Sequence, residues 1–201
     1  MKGSGGLSQV AQTNHTKHKA LGSEKGVRAI KVKSSDGGQG TAPNTGVRIR
    51  LAKDDGDIAT MIGLGHLLHA ESGFRGLPLD DKRMREIGHR GLKDGNPGLF
   101  IAERGGEGGD MVGMAIVVLG EYYFSPVRSS TVQLLYVRPD ARGGLSAIKL
   151  LRAIRRWSEQ NQAQDIHVNV TTGIDTARTD RFLRRMGFKQ TGGNYVLAGV
   201  G

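Results

Sequence analysis

Cysteine is absent from the chain of 201 residues, which removes disulfides, thiolate metal ligands and a cysteine nucleophile together. Aromatic residues make up 5% of it, too few for a stacking platform along single-stranded nucleic acid. No apolar run approaches the roughly 20 residues that cross a bilayer, and the first residues lack the apolar core of a secretory signal. These features predict a cytoplasmic protein with no membrane partner. Acidic side chains are scarce as well: 19 Asp and Glu against 29 Lys and Arg give a formal charge of +10. Such an excess draws a protein toward anions, whether small-molecule phosphates, nucleic acid or an acidic protein surface.

The positive charge is unevenly spread. Residues 1–46 hold seven Lys and Arg against two Asp and Glu, so half of the excess sits in less than a quarter of the chain. This segment is rich in Gly, Ser, Thr, Asn and Lys, and its few aliphatics cannot offset the entropy of ordering it. The sequence therefore predicts a flexible basic arm over residues 1–46 ahead of one folded domain over residues 47–201. The arm reads either as a solubilising tail or as a strap that contacts nucleic acid or a protein assembly by neutralising phosphates.

From residue 47 the hydrophobic pattern becomes regular. Residues 47–51 alternate as a strand, and Asp54 or Asp55 is placed to cap a helix carrying Ile58, Met61, Ile62, Leu64 and Leu68. Gly63 and Gly65 weaken that helix. A second helix is expected over residues 83–92, then strands at 99–103 and 111–119 joined by a glycine-rich turn. The nearly continuous apolar run of 111–119 suits a strand covered on both faces. In residues 131–137, Val132, Leu134 and Tyr136 alternate with Thr131, Gln133 and Leu135, and Pro139 forbids the ladder from continuing. Ala147, Leu150, Leu151, Ile154 and Trp157 then recur at helical spacing opposite a basic face. Ile166, Val168 and Val170 mark another strand, Asp175 caps a last helix reaching Met186, and closing strands are expected at 187–188 and 194–197.

The turn between the 131–137 strand and its helix has the composition of an anion site. Arg142-Gly143-Gly144 brings backbone without side chains to the start of a helix, whose first amides lack intrahelical partners and whose dipole favours negative charge. Phosphate is the natural guest.

These residues also carry a resemblance. Val137-x-Pro139-x-x-Arg142-Gly143, followed by Ala147-x-x-Leu150-Leu151, resembles the acetyl-CoA signature of the GNAT superfamily of N-acetyltransferases. Arg142 and Ala147 match the outer places of the family's Gln/Arg-x-x-Gly-x-Gly/Ala turn. Leu145 stands where the middle glycine belongs, with Gly144 one place earlier, much as in the Arg-Gly-Gly turns of some bacteriophage-encoded members. The resemblance implies an α/β GNAT fold: a mixed, mostly antiparallel sheet splayed at the signature strand, with helices on both faces. It also implies N-acetyl transfer from acetyl-CoA to an amine by direct attack in a ternary complex. Backbone groups of Leu135, Tyr136 and Val137 would hold pantetheine, and Arg142, Gly143, Gly144, Leu145, Ser146 and Ala147 the pyrophosphate.

The proton-transfer groups are less legible. Many family members place an acidic tyrosine where this chain has Leu183, and Thr176 and Thr179 replace the usual Asn and Ala. Glu121 is the expected base, at the end of a buried strand. Tyr123 and Tyr122 are candidates for the acid or for the acceptor pocket, and Tyr195 has a similar claim. His66, His69 and Glu71 lie close in sequence but lack a wider ligand cluster, so no metal is expected. The rival expectation is a GNAT fold with eroded catalysis, a structural or nucleic-acid-associated component, virion-associated and anchored by the arm.

Overall fold

Aspartate opens three of the four α-helices of the computed structural model, which describes residues 46–197. Asp54, Asp80 and Asp175 each accept a bond from the backbone N–H three residues on, at the starts of α1 (Asp55–Glu71), α2 (Asp81–Asp94) and α4 (Thr176–Arg185). A carboxylate there satisfies an orphan amide and complements the helix dipole. The remaining helix, α3 (Ser146–Gln160), has Leu145 at that position and no side-chain cap. The expected arm lies outside the described residues apart from Gly46.

Five strands form one sheet in chain order: β1 (Val47–Leu51), β2 (Gly98–Arg104), β3 (Asp110–Tyr122), β4 (Ser125–Val137) and β5 (Asp165–Val168). The first four pair antiparallel, and β5 joins β4 in parallel. Each face is buried by helices. Phe100, Val112, Val117 and Val132 pack with Leu150, Ile154 and Trp157 of α3, and Phe182, Leu183 and Met186 extend this core. On the other face Leu99, Ile101, Met114 and Tyr136 pack with Ile58, Met61, Ile62 and Leu64 of α1. Burial on both sides explains why β2 and the first half of β3 are continuously apolar. Helix α1 runs unbroken through Gly63 and Gly65, with the Met84 sulfur 3.5 Å from where a Cβ on Gly65 would stand. Packing against α2 and the sheet overrides the weak local propensity there.

A β-bulge divides β4. Ile116 faces Leu134 but Val117 faces Val132, so Gln133 is the extra residue. The expected single alternation of Val132, Leu134 and Tyr136 is corrected accordingly. Val132 packs on the α3 side, while Leu134 and Tyr136 pack on the α1 side. An inserted residue reverses the phase of a period-two pattern.

The expected closing strands at 187–188 and 194–197 do not form among the described residues, where 188–197 carry no strand. The paired part of β5 is only four residues long, and Gly192-Gly193 raises the entropic cost of extending the segment. Tyr195 is 98% exposed, so burial offers little against that cost.

A charged triad ties β1, β2 and α1 together inside the domain. The Arg50 guanidinium forks onto both carboxylate oxygens of Asp57, and its Nε donates to Oε1 of Glu103 at 2.7 Å. The Lys53 backbone N–H also donates to Asp57. Asp57 and Glu103 are both buried.

Helix α2 presses closely on the chain before β2. A Cβ on Gly91 would stand 2.6 Å from the Pro97 carbonyl oxygen and 2.7 Å from a Leu99 side-chain carbon. Gly91→Ala is therefore expected to destabilise by about 1–3 kcal/mol, as overpacking does, despite alanine's roughly 1 kcal/mol advantage in a helix. A lower urea midpoint checks this, and an unchanged one would show that α2 shifts freely.

Candidate functional site

The uncapped start of α3 opens onto a cleft of about 330 Å³ lined by Val47, Arg104, Val112, Asp140, Gly144, Leu145, Ser146 and Lys149, among others. The first backbone bond of α3 runs from the Lys149 N–H to the Leu145 carbonyl at 2.8 Å. Amides earlier in the turn therefore have no helical acceptor. Gly143 takes a φ of +86° there, a value that favours glycine. Gly144 does not, and a Cβ on it would meet only the Ala141 carbonyl oxygen at 3.6 Å. Leu145 is exposed at the mouth.

The walls of this cleft are pinned by ion pairs. Arg104 reaches Asp110 and Asp140, and Arg138 reaches the same two carboxylates, at 2.7–3.1 Å. Bonds from Arg138 and then Arg104 hold the Asp140 carboxyl down at about 2. The turn after β4 is thereby tied to the β2–β3 end of the sheet. Lys149 donates to the Val47 carbonyl at 2.6 Å and fastens α3 to β1.

Arg142 also lines this cleft, and its guanidinium is already engaged. Its Nε donates to the Val137 carbonyl at 2.9 Å, a terminal nitrogen pairs with Glu71 at 2.6 Å, and the guanidinium lies over the Tyr136 ring. The Tyr136 hydroxyl donates to the other Glu71 oxygen at 2.7 Å. Burial opposes ionisation of Glu71, but the bonds from Tyr136 and Arg142 outweigh it and hold the carboxyl below its usual range. Burial, then the Glu71 bond, pushes Tyr136 up to about 12. Arg142 thus shapes the turn and occupies one carbonyl of the β4 edge.

Beside the turn the sheet opens. Strands β4 and β5 pair from Ser129↔Asp165 to Val132↔Val168 and then part, leaving residues 133–137 of β4 without a strand neighbour on that side among the described residues. Leu135, Tyr136 and Val137 lie on this stretch, which leads toward the start of α3. The structure thus groups the predicted cofactor residues 135–137 and 142–147 around one gap and one helix end.

The predicted catalytic pair lies apart from that group. Glu121 is exposed and pairs with Arg128 near the far end of the β3–β4 hairpin. Tyr123 is 90% exposed in the hairpin turn, edge-on to Phe124. Leu183 packs into the α3-side core. Tyr122 is better placed: its hydroxyl lies 3.0 Å from Asp165 Oδ2 and 3.2 Å from His167 Nε2. Burial, then the Asp165 bond, pushes the Tyr122 hydroxyl up. Sequence reasoning passed over Asp165 and His167. The available signal was their i, i+2 spacing, which puts two polar side chains on one face of a strand whose other face is aliphatic. Among the described residues no group of three or more metal-ligating side chains occurs, and no helix is long and apolar enough to cross a membrane.

Residues 64–188 match the family model described as the acetyltransferase (GNAT) family. Solved structures show the same fold. AAC(6')-Iy in complex with the bisubstrate analog CoA-S-monomethyl-acetylneamine superposes with a TM-score of 0.61 at 18% identity, over 77% of this chain and 98% of that one. An aminoglycoside acetyltransferase, meta-AAC0020, from an uncultured soil metagenomic sample, in complex with trehalose, gives 0.58 at 17% identity over 76% and 97%. A transcriptional regulator from Bacillus halodurans C-125 gives 0.59 at 25% identity over 77% and 100%. No curated protein matches the sequence.

Proposed function

Because the chain belongs to the acetyltransferase (GNAT) family, we propose that it transfers an acetyl group from acetyl-CoA to an amine by direct attack within a ternary complex. The observation that carries this reading is the parting of β4 from β5 beside an uncapped helix start. A strand edge without a neighbour offers backbone donors and acceptors to an extended amide chain. The α3 end offers amides and a favourable dipole to a pyrophosphate. In this reading the backbone of Leu135, Tyr136 and Val137 lines pantetheine. Gly143, Gly144, Leu145, Ser146 and Ala147 meet the phosphates, and Arg142 braces the turn through Glu71. Glu121 and Tyr123, at the hairpin end, meet the arriving acceptor.

The departures from the family turn are compatible with the same chemistry. Leu145 contributes a backbone amide whatever its side chain, and Gly144 keeps the approach clear, as in the phage-encoded Arg-Gly-Gly turns it resembles. The basic arm of residues 1–46 adds long-range attraction for anionic partners, nucleic acid or a protein assembly among them, without belonging to the cofactor site.

Calorimetry with acetyl-CoA on the full chain and on a chain beginning at Gly46 tests this directly. Micromolar binding by both is expected, followed by thiol release when amines are supplied, aminoglycosides included because proteins of similar fold are named for them. Absence of binding by either form, with cooperative unfolding retained, would overturn the proposal.

A further inference from the structure

The side-chain chain Asp165–Tyr122–His167 stands one residue from the point where β4 and β5 separate. His167 pairs with Thr131, and Val132↔Val168 is the last pair before the gap. Ile166 and Val168 pack against the α3-side core, so alternation sends Asp165 and His167 to the opposite face of β5. That face is uncovered here, and both residues are exposed. An acceptor approaching from this side meets His167 about one strand residue, 3.3 Å or so, from the vertex.

Proton counting fixes the tautomer of the neutral ring. A tyrosine hydroxyl has one proton to give, and a carboxylate only accepts. With Asp165 ionised, the Tyr122 O–H points to Asp165 Oδ2, and the Tyr122 oxygen accepts from His167 Nε2–H. The neutral imidazole is then held as the Nε2–H tautomer, leaving the Nδ1 lone pair free, and Nδ1 makes no hydrogen bond among the described residues. Among the described residues the ionisable group in contact with His167 is Tyr122 on β3, whose hydroxyl also meets Asp165 on the strand of His167. Its neighbour across β4, Thr131, and the residue beyond on β3, Val118, do not titrate.

We infer that His167 is the base that takes the proton from the acceptor amine, with Tyr122 and Asp165 as positioning residues. This role rests on the acetyl-transfer reading. The amine nitrogen forms the N–C bond to the thioester carbonyl, the C–S bond breaks with its electron pair going to sulfur, and the excess N–H proton passes to Nδ1 of His167. The thiolate takes up a proton from solvent. His167 then returns its own to solvent, so each cycle begins from the neutral ring.

Two measurements test the role. Nitrogen-15 NMR of histidine-labelled protein is expected to show the neutral form of His167 as the Nε2–H tautomer, and Tyr122→Phe to abolish that preference. An Nδ1–H ring in the wild type would overturn the inference. With an amine that the wild type acetylates, His167→Gln is expected to lower kcat by about 10²–10⁴-fold, the usual reach of a general base, at unchanged acetyl-CoA affinity. Wild-type kcat in His167→Gln would remove the role of His167 alone, whereas a wild type that binds no acetyl-CoA would remove the acetyl-transfer reading itself.

Discussion

Arg50→Ala is expected to destabilise the domain by about 3–5 kcal/mol, the range found when one partner is taken from a buried ion network. Arg50 is the common partner of Asp57 and Glu103, and both carboxylates are buried. Removing it leaves two negative groups facing each other with only the Lys53 amide to help. At about 2–4 °C per kcal/mol for a domain of this size, thermal unfolding should move down by roughly 6–20 °C. Arg50→Lys should recover only part, because an ammonium cannot fork onto Asp57. A variant melting within a degree or so of the wild type would show that the network is energetically neutral.

The same residue shapes the acid limb of stability. Bonds from Arg50, against the opposing effect of burial, hold the Asp57 carboxyl below its usual range in the folded protein. A group depressed on folding stabilises the fold above its unfolded value, and that contribution fades as pH falls through the folded one. The wild type should therefore lose stability on acidification below the ordinary carboxylate range, near 4. In Arg50→Ala this contribution is already gone, so the difference between the two melting curves should narrow as pH falls.

Gly144→Glu is expected to weaken acetyl-CoA binding by about 10²–10³-fold while leaving unfolding nearly unchanged. The backbone at Gly144 suits any residue, and a Cβ there makes only an ordinary contact with Ala141. A glutamate at this point competes for the free amides of α3, where a charge-assisted bond is worth roughly 1.5–3 kcal/mol, and it repels the incoming phosphates. Gly144→Ala separates charge from bulk and should bind almost as the wild type does. Arg142 is a poor choice for the same purpose, since replacing it unpairs Glu71 and uncovers the Tyr136 ring. Calorimetry on the two Gly144 variants decides the matter, and equal affinity in both would move the phosphate site away from α3.

Much of this fold was legible because its signals are local. Asp54 and Asp175 cap the helices that follow them, Pro139 stops β4, and the period-two and period-3.6 patterns place β1, β2, β3 and α3 within a few residues. The signature turn was legible too, since glycine, arginine and the helix pattern are contiguous there. What escaped the sequence depends on partners distant in the chain. Gln133 looks like any outward strand residue, and its bulge exists only relative to β3. The pairing of Arg142 with Glu71, 71 residues earlier, leaves no mark on the turn's own sequence. Tyr122 and His167 meet from strands 45 residues apart. The run at residues 194–197 has strand composition, yet it pairs with no strand among the described residues and its large side chains stay exposed, so composition alone does not settle the pairing.

The extra residue in β4 makes its two halves separately adjustable. From Leu134 onward the strand pairs with residues 113–116 of β3 and leads to the turn before α3, while up to Val132 it is registered to the hairpin and β5. Changes in hairpin length or side chains are therefore expected to be taken up at Gln133 rather than passed on to the turn before α3. On the proposed acetyl-transfer reading the domain is thus modular within a single strand, and exchanging hairpin residues 123–128 is expected to leave the affinity for the acetyl donor unchanged.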